Sequence, residues 1–233
     1  MKTIGLLGGM SWESTVEYYR LINEGVKEQL GGLHSAEIVM FSVDFAEVER
    51  LQHASDWEDA GKLLTESARR IERAGADFLV ICTNTMHKLA DDIAGGIGIP
   101  LLHIADATAE AIKSAGMKRV GLLGTKFTME QEFYKGRLTA RYGIEVVIPK
   151  GADRDIVHDI IYRELCVGKT REQSRQEFIR VMDELVRRGA QGIILGCTEI
   201  PLLVEPADAR VPLFDTTAIH AAKAVEWALA GED

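Results

Sequence analysis

The chain is poor in residues that build metal and disulfide sites. It has three cysteines, Cys82, Cys166 and Cys197, among 233 residues, and six histidines that occur singly. Neither set has the spacing of metal ligands, so we predict no metal site. An odd number of cysteines without a pairing pattern is typical of reduced thiols, which predicts a cytoplasmic protein.

Long hydrophobic runs and an excess of positive charge are also missing. No apolar stretch approaches the roughly 20 residues of a membrane-spanning helix, and the first run, Ile4 to Leu7, is too short for a signal peptide. The formal net charge is -9, with acidic and basic residues mixed along the chain. The sequence therefore predicts no nucleic-acid partner and no membrane association.

Short apolar runs alternate with longer helical patterns, which is typical of an α/β protein with parallel sheets. Predicted strands lie near Thr3–Leu7, Ile38–Val43, Phe78–Ile81, Leu101–His103, Val120–Leu123, Ile144–Ile148, Ile193–Leu195 and Leu213–Phe214. Predicted helices lie near Ser14–Gln29, Trp57–Arg73, Met86–Ile93, Ala105–Ser114, Thr128–Arg141, Asp155–Cys166, Arg171–Arg187 and Ala218–Leu229.

Three segments of the first half recur in the same order in the second half, about 114 residues later. IGLLGGMS from Ile4 resembles VGLLGTKF from Val120, RAGADFLVICTNT from Arg73 resembles RRGAQGIILGCTEI from Arg187, and IPLLHIADATAEAI from Ile99 resembles VPLFDTTAIHAAKAV from Val211. Two matching α/β halves of about four strands each are predicted. Ligands of such sheets bind beyond the carboxyl ends of the strands, so the residues that follow each strand are candidates for a site.

The repeat aligns two strand ends that carry reactive groups. It pairs Thr83 with Cys197 and Cys82 with Gly196. Because successive side chains of a strand point to opposite faces, a Thr83 that faces the site leaves Cys82 in the core. Cys197 lies where a short helix could begin, and a helix N-terminus would lower its thiol pKa. An inert buried cysteine is the alternative for Cys197.

The motifs GLLGGMSWEST at the start, TNTMH at 83–87, LLGT at 122–125 and GCTEI at 196–200 resemble the cofactor-independent aspartate/glutamate racemase superfamily, and TEI resembles its aspartate racemase branch. The resemblance spans nearly the whole chain. It implies two similar parallel-sheet domains related by a pseudo-twofold axis with the active site in the cleft between them, and no cofactor such as pyridoxal phosphate. We expect the first domain to comprise 1–98 plus 211–233, including the last strand and helix, and the second to comprise 99–210.

The resemblance also implies racemisation of an amino acid by two residues on opposite faces of the α-carbon. Where the family pattern has its first cysteine directly before Asn-Thr, this chain has Thr83. We therefore predict an asymmetric pair, in which Cys197 removes the proton from one enantiomer and Thr83, through water if needed, serves the other face. Turnover should then be faster from one enantiomer.

The remaining predicted site residues bind the substrate. Developing charge on its carboxylate needs aimed donors, and hydroxyls and amides after the strands can supply them. The candidates are Ser11, Asn84, Thr85, Thr125 and Thr198. Glu199 could accept a hydrogen bond from the substrate ammonium, and Met10 lies in a turn beside the predicted site. His87 is expected to orient the loop that follows Thr83.

The resemblance also implies that the segment SVDFAEVERLQ at 42–52 is a loop near the substrate side chain. Aspartate or glutamate would call for a cation, and Arg50 and neutral Gln52 are the local candidates. If Arg50 faces solvent, Gln52 would leave a pocket that accepts neutral side chains, and a broad-specificity racemase is the alternative. A single-thiol decarboxylase or hydantoin racemase of the same superfamily, and a non-catalytic amino-acid-binding protein, are further alternatives. A homodimer is the candidate assembly.

Overall fold

The computed structural model describes residues 1–231, which form two four-stranded parallel sheets. The sheet orders are β2-β1-β3-β4 and β6-β5-β7-β8. These strands are β1 Ile4–Gly8, β2 Ile38–Ser42, β3 Phe78–Ile81, β4 Leu101–Leu102, β5 Arg119–Gly124, β6 Glu145–Val147, β7 Ile193–Gly196 and β8 Leu213–Asp215. The predicted α/β class is confirmed, and the identical strand orders confirm the repeat.

Helices connect the strands in both halves. They are α1 Trp12–Leu30, α2 Phe45–His53, α3 Trp57–Arg73, α4 Ala90–Gly95, α5 Ile104–Ser114, α6 Lys126–Glu130, α7 Glu132–Tyr142, α8 Gly151–Arg163, α9 Glu172–Arg187 and α10 Thr216–Leu229. Short 3-10 turns lie at Thr85–Leu89, Leu165–Val167, Ile200–Leu202 and Pro206–Asp208. Within residues 1–231, the helices are too short or too polar to cross a membrane.

The chain divides into two compact units at positions that differ from the expected boundaries. The first unit contains residues 1–104 and resumes at His220, and the second contains Ala105–Ile219. Strand β4 pairs with β3, and β8 pairs with β7, so each fourth strand stays in the sheet of its own half. Backbone hydrogen bonding thus retains β8 in the second sheet, and α10 alone returns, where the Lys2 N–H donates to the Ala228 carbonyl at 2.8 Å.

Strand alternation distributes the core of the first unit over both faces of its sheet. Leu7, Leu79 and Ile81 pack on one face in a cluster with buried residues of α2 and α3. Val80 and Cys82 point to the other face, in a cluster with buried residues of α1 and α10. The Cys82 thiol is therefore the last of the side chains after β3 that point to this second face.

The segment 42–52 is not a loop as predicted, because α2 begins at Phe45. Asp44 caps the helix, and its carboxylate accepts a hydrogen bond from the Ala46 N–H at 3.1 Å. Val48, Leu51 and Gln52 form its buried face. The helix has only nine residues. Its apolar period is too short to stand out among three charged side chains, so the sequence did not predict this helix.

Candidate active site

Cys82 is a core residue. Its side chain is 0% exposed and packs in the cluster with Val80, and burial raises the pKa of its thiol. A thiol that is buried among apolar side chains stays protonated and unreactive. The prediction that Cys82 turns toward the core is confirmed.

Strand register gives a comparison of the two halves that is independent of sequence alignment. In the second sheet Gly124 pairs with Gly196, and Cys197 follows. In the first sheet Leu7 pairs with Ile81, and the Cys82 N–H donates to the Leu7 carbonyl at 2.9 Å. Strand β1 ends one residue after Leu7, at Gly8, just as β5 ends at Gly124. Cys82 thus occupies the register position of Gly196, and Thr83 occupies that of Cys197.

Thr83 lies in a tight turn directly after β3. Its N–H donates to the Ile81 carbonyl at 2.9 Å, and its side chain is half-buried. The Thr83 carbonyl accepts a hydrogen bond from His87 Nδ1 at 2.7 Å. Asn84 and Thr85, which follow, are both buried.

Cys197 lies directly after β7 and is bonded to Glu199. Its thiol Sγ donates to Glu199 Oε2 at 2.9 Å, and the Thr198 hydroxyl donates to the same oxygen at 2.7 Å. Cys197 is 9% exposed and Glu199 8%. Two donors thereby hold the carboxylate against the thiol.

The shift of the Cys197 thiol pKa is opposite in direction to the predicted one. Burial, and then the negative charge of Glu199, raise the pKa of this thiol well above its ordinary value. The segment that follows is a three-residue 3-10 turn, Ile200–Leu202, too short to supply the partial positive charge of a helix end. The expected lowering of the Cys197 thiol pKa is therefore wrong.

Backbone spacing at the ends of β5 and β7 depends on glycine. A Cβ at Gly196 would lie 2.8 Å from the Leu123 carbonyl oxygen, and one at Gly124 would lie 2.9 Å from the Gly196 carbonyl oxygen. Thr125 follows and caps α6, since its Oγ1 accepts the Thr128 N–H at 3.3 Å. The two strand ends therefore approach closely enough to present Thr125 and Cys197 at one edge of the sheet.

The glycine-rich turn after β1 carries two more predicted residues. Gly9 has a φ of 90°, and a Cβ there would lie 2.2 Å from the Val43 carbonyl oxygen. Met10 is buried, and Ser11 is the N-cap of α1, which begins at Trp12. The turn thus ends β1 at the carboxyl edge where β3 delivers Thr83.

The two candidates for side-chain recognition have opposite environments. Gln52 is buried on α2, whereas Arg50 is exposed. An exposed guanidinium is solvated and is a weak determinant of specificity. The condition that Arg50 faces solvent is therefore met.

Each of the two units holds a group of predicted residues, which follow its strands except for Gln52 on α2. The first unit holds Met10, Ser11, Gln52, Thr83, Asn84 and Thr85, and the second holds Thr125, Cys197, Thr198 and Glu199. The hydrogen bond between Cys197 and Glu199 was not predicted, although the sequence places the two residues two positions apart directly after a strand. Among residues 1–231, no group of three or more His, Cys, Asp or Glu side chains is arranged to hold a metal ion.

Comparison with known proteins agrees with this geometry. The family model of Asp/Glu/hydantoin racemases matches residues 7–224. The chain belongs to the Asp/Glu/hydantoin racemase family. It is therefore an isomerase of the amino-acid racemase type.

Three similar proteins illustrate the family. A crystal structure of a candidate Asp/Glu racemase from Yersinia pestis is 59% identical, with a TM-score of 0.94, and covers 98% of this chain and 100% of its own. An aspartate racemase homologue from Pyrococcus horikoshii is 36% identical, with a TM-score of 0.86, and covers 98% and 99%. The broad specificity amino-acid racemase of Bacillus subtilis is 22% identical and covers 97% of this chain and 98% of its own.

Proposed function

We propose that this racemase interconverts L- and D-amino acids without pyridoxal phosphate, with Cys197 and Thr83 serving opposite faces of the substrate α-carbon. The observation that carries the proposal is the Cys197 thiol held 2.9 Å from the Glu199 carboxylate, at the register position that Thr83 occupies in the other half. An acid and a base in contact at a strand end are suited to proton transfer.

The reaction begins with transfer of the Cys197 thiol proton to Glu199. The thiolate then removes the α-proton, and the electron pair of the broken C–H bond moves into the substrate carboxylate. Hydroxyls and amides of Ser11, Asn84, Thr85, Thr125 and Thr198 supply donors for that developing charge. Because burial raises the thiol pKa, the thiolate that forms is a stronger base than an exposed one.

Proton delivery to the opposite face completes the inversion. We assign it to the Thr83 hydroxyl, directly or through one water, with the hydroxyl regaining its proton from solvent. Glu199 then releases to solvent the proton that it took from Cys197, which leaves Cys197 a thiol and Glu199 a carboxylate, so the protein ends unchanged. A hydroxyl is far less acidic than a thiol, and this face should be the slow one.

The substrate follows from the environment of the second helix. Aspartate or glutamate fits the family description and the similarity to aspartate racemase homologues. The exposed Arg50 and buried Gln52 favour a second candidate, a racemase that also accepts neutral side chains. The full-length similarity to the broad specificity racemase of Bacillus subtilis supports that candidate.

Incubation in heavy water with a panel of pure amino-acid enantiomers tests the function and the substrate together. Each sample is read by NMR for loss of the α-proton and by chiral chromatography for inversion. We expect exchange and inversion with acidic amino acids, and with neutral ones if Gln52 sets specificity. Binding without exchange would instead indicate an amino-acid-binding protein. A malonate is tested in a parallel sample, in which loss of carbon dioxide would indicate a decarboxylase.

A further inference from the structure

His87 lies five positions after the core residue Cys82 and is 2% exposed. An imidazole is costly to bury without hydrogen-bond partners. The backbone N–H of His87 donates to the Asn84 carbonyl at 3.1 Å, in the turn that follows Thr83. The ring contacts those of two further buried histidines, His103 at 4.7 Å and His220 at 5.6 Å between centroids. The side chain is therefore fixed on several sides.

Its two ring nitrogens have determined roles. The Nδ1 atom lies 2.7 Å from the Thr83 carbonyl oxygen, which can only accept, so Nδ1 carries the proton. The Nε2 atom lies 3.2 Å from the Ile104 N–H, which can only donate, so Nε2 is the acceptor. These two partners define the neutral Nδ1–H tautomer.

The neighbouring imidazole is anchored in the same way. His220 Nε2 lies 2.9 Å from the Leu102 carbonyl oxygen and its Nδ1 lies 2.8 Å from the Tyr18 hydroxyl. The His87 ring thus rests against a rigid neighbour that is tied to β4 and α1. A displacement of His87 would have to break this packing.

We propose that His87 is the positioning residue for Thr83: it bridges the Thr83 carbonyl to the first N–H of α5 and so holds the Thr83 hydroxyl toward the substrate. The proposal rests on the proposed function of Thr83. Among residues 1–231, no side chain donates to the Cys197 carbonyl, which accepts the Ile200 N–H at 3.2 Å within its own turn. His87 therefore acts on one face of the reaction.

A partition ratio isolates this role from general damage to the fold. In heavy water, an enantiomer that Cys197 has deprotonated can take up deuterium in two ways. It receives deuterium from Cys197 with retention, once the thiol has exchanged with solvent, or from the Thr83 face with inversion. Both outcomes come from the same folded molecules, so unfolded protein does not change their ratio. Misplacing Thr83 lowers inversion alone.

Four variants make the test specific. His87→Phe removes both ring hydrogen bonds, His87→Asn keeps a donor near the Nδ1 position, and His87→Gln keeps a polar group near the Nε2 position. Ile71→Val, a shortened core side chain on α3, serves as the control for lost stability. We expect the ratio of inversion to exchange with retention to fall at least about tenfold in H87F and H87Q, and to stay within about threefold of wild type in H87N and I71V.

An unchanged ratio in H87F would overturn the proposal, as would an equal fall in I71V. The tautomer supplies a readout that does not depend on activity: two-bond nitrogen–proton NMR correlations should show His87 protonated at Nδ1, and protonation at Nε2 would contradict the assignment. Failure of the proposed function looks different. It would appear as an absence of exchange in the wild type, which would also exclude a positioning role in this reaction.

Discussion

The turns that follow β3 and β7 occupy the same register position and are built differently. After β7, the Cys197 thiol donates to Glu199 two residues away, and its backbone is held by a local turn. After β3, Thr83 has a hydroxyl in place of the thiol, and the buried imidazole of His87 holds its backbone. One turn contains an acid–base pair, while the other depends on positioning. Under the proposed function, the same fold therefore supports two unequal proton-transfer groups.

The largest effect should come from removing the thiol of one turn. Cys197→Ser replaces a group that can ionise with one that cannot, and we expect racemisation to fall by at least about a thousandfold. Cys82→Ser is the matched variant in the other half. It should lose less than about threefold in activity, although a hydroxyl in the apolar core should cost about 1–3 kcal/mol of unfolding free energy.

Initial inversion rates and urea unfolding curves of the two serine variants provide the check. Full activity in C197S would exclude Cys197 as the base. Loss of activity in a folded C82S variant would return Cys82 to the reaction and remove the contrast between the two turns.

Changing Thr83 should alter the balance between the faces. Thr83→Ala should lower inversion by about ten- to a hundredfold while leaving exchange with retention at the Cys197 face. Thr83→Cys should make the two turns more alike, so that the exchange behaviour from the two enantiomers converges. Deuterium exchange in both variants measures this, and equal loss of exchange and inversion in T83A would argue against a face-specific role.

Glu199→Gln separates the two effects of the carboxylate on Cys197. The negative charge raises the thiol pKa, so its removal should shift Cys197 alkylation by iodoacetamide to lower pH. Inversion should nevertheless slow by about tenfold or more, because the acceptor of the thiol proton is lost. Peptide mass spectrometry across a pH series measures the alkylation of Cys197 separately from that of the other cysteines. Glu172→Gln, an exposed carboxylate of the same unit, is the control, and a shift to higher pH in E199Q would contradict the assignment.

Acid should weaken the histidine support of the first turn. Burial lowers the pKa of His220 to about 4, whereas an unfolded histidine has about 6.5. Between these two pKa values, the unfolded chain therefore binds a proton at His220 that the folded chain does not bind. The stability from this residue is complete above about pH 6.5 and decreases as the pH falls toward 4, by up to about 3 kcal/mol.

His220→Gln cannot titrate and serves as the reference for that effect. The difference in unfolding free energy between wild type and H220Q should shrink between pH 7 and pH 4, while other acid effects cancel. Urea unfolding at several pH values measures it. A difference that stays constant with pH would show that His220 does not carry the dependence.

Sequence patterns predicted the sheets better than they predicted contacts. All eight strands and the repeat followed from apolar runs, because buried parallel strands have few other sequences open to them. The short helix α2 and the pairing of β4 and β8 within their own sheets were missed, since short periods and strand order depend on tertiary packing. The shift of the Cys197 thiol pKa was predicted in the wrong direction, because its causes, burial of the thiol and then the charge of Glu199, arise only once the turn has formed.

The partition of deuterium in the wild-type enzyme, starting from each pure enantiomer, tests the unequal pair most directly. Since enantiomers have equal free energies, kcat/KM must be the same in both directions, and only kcat values and exchange patterns can reveal asymmetry. From the enantiomer that Cys197 deprotonates, we predict exchange with retention faster than inversion. From the other enantiomer, we predict inversion with little retained exchange. Equal partition ratios and equal kcat values from both enantiomers would contradict the account.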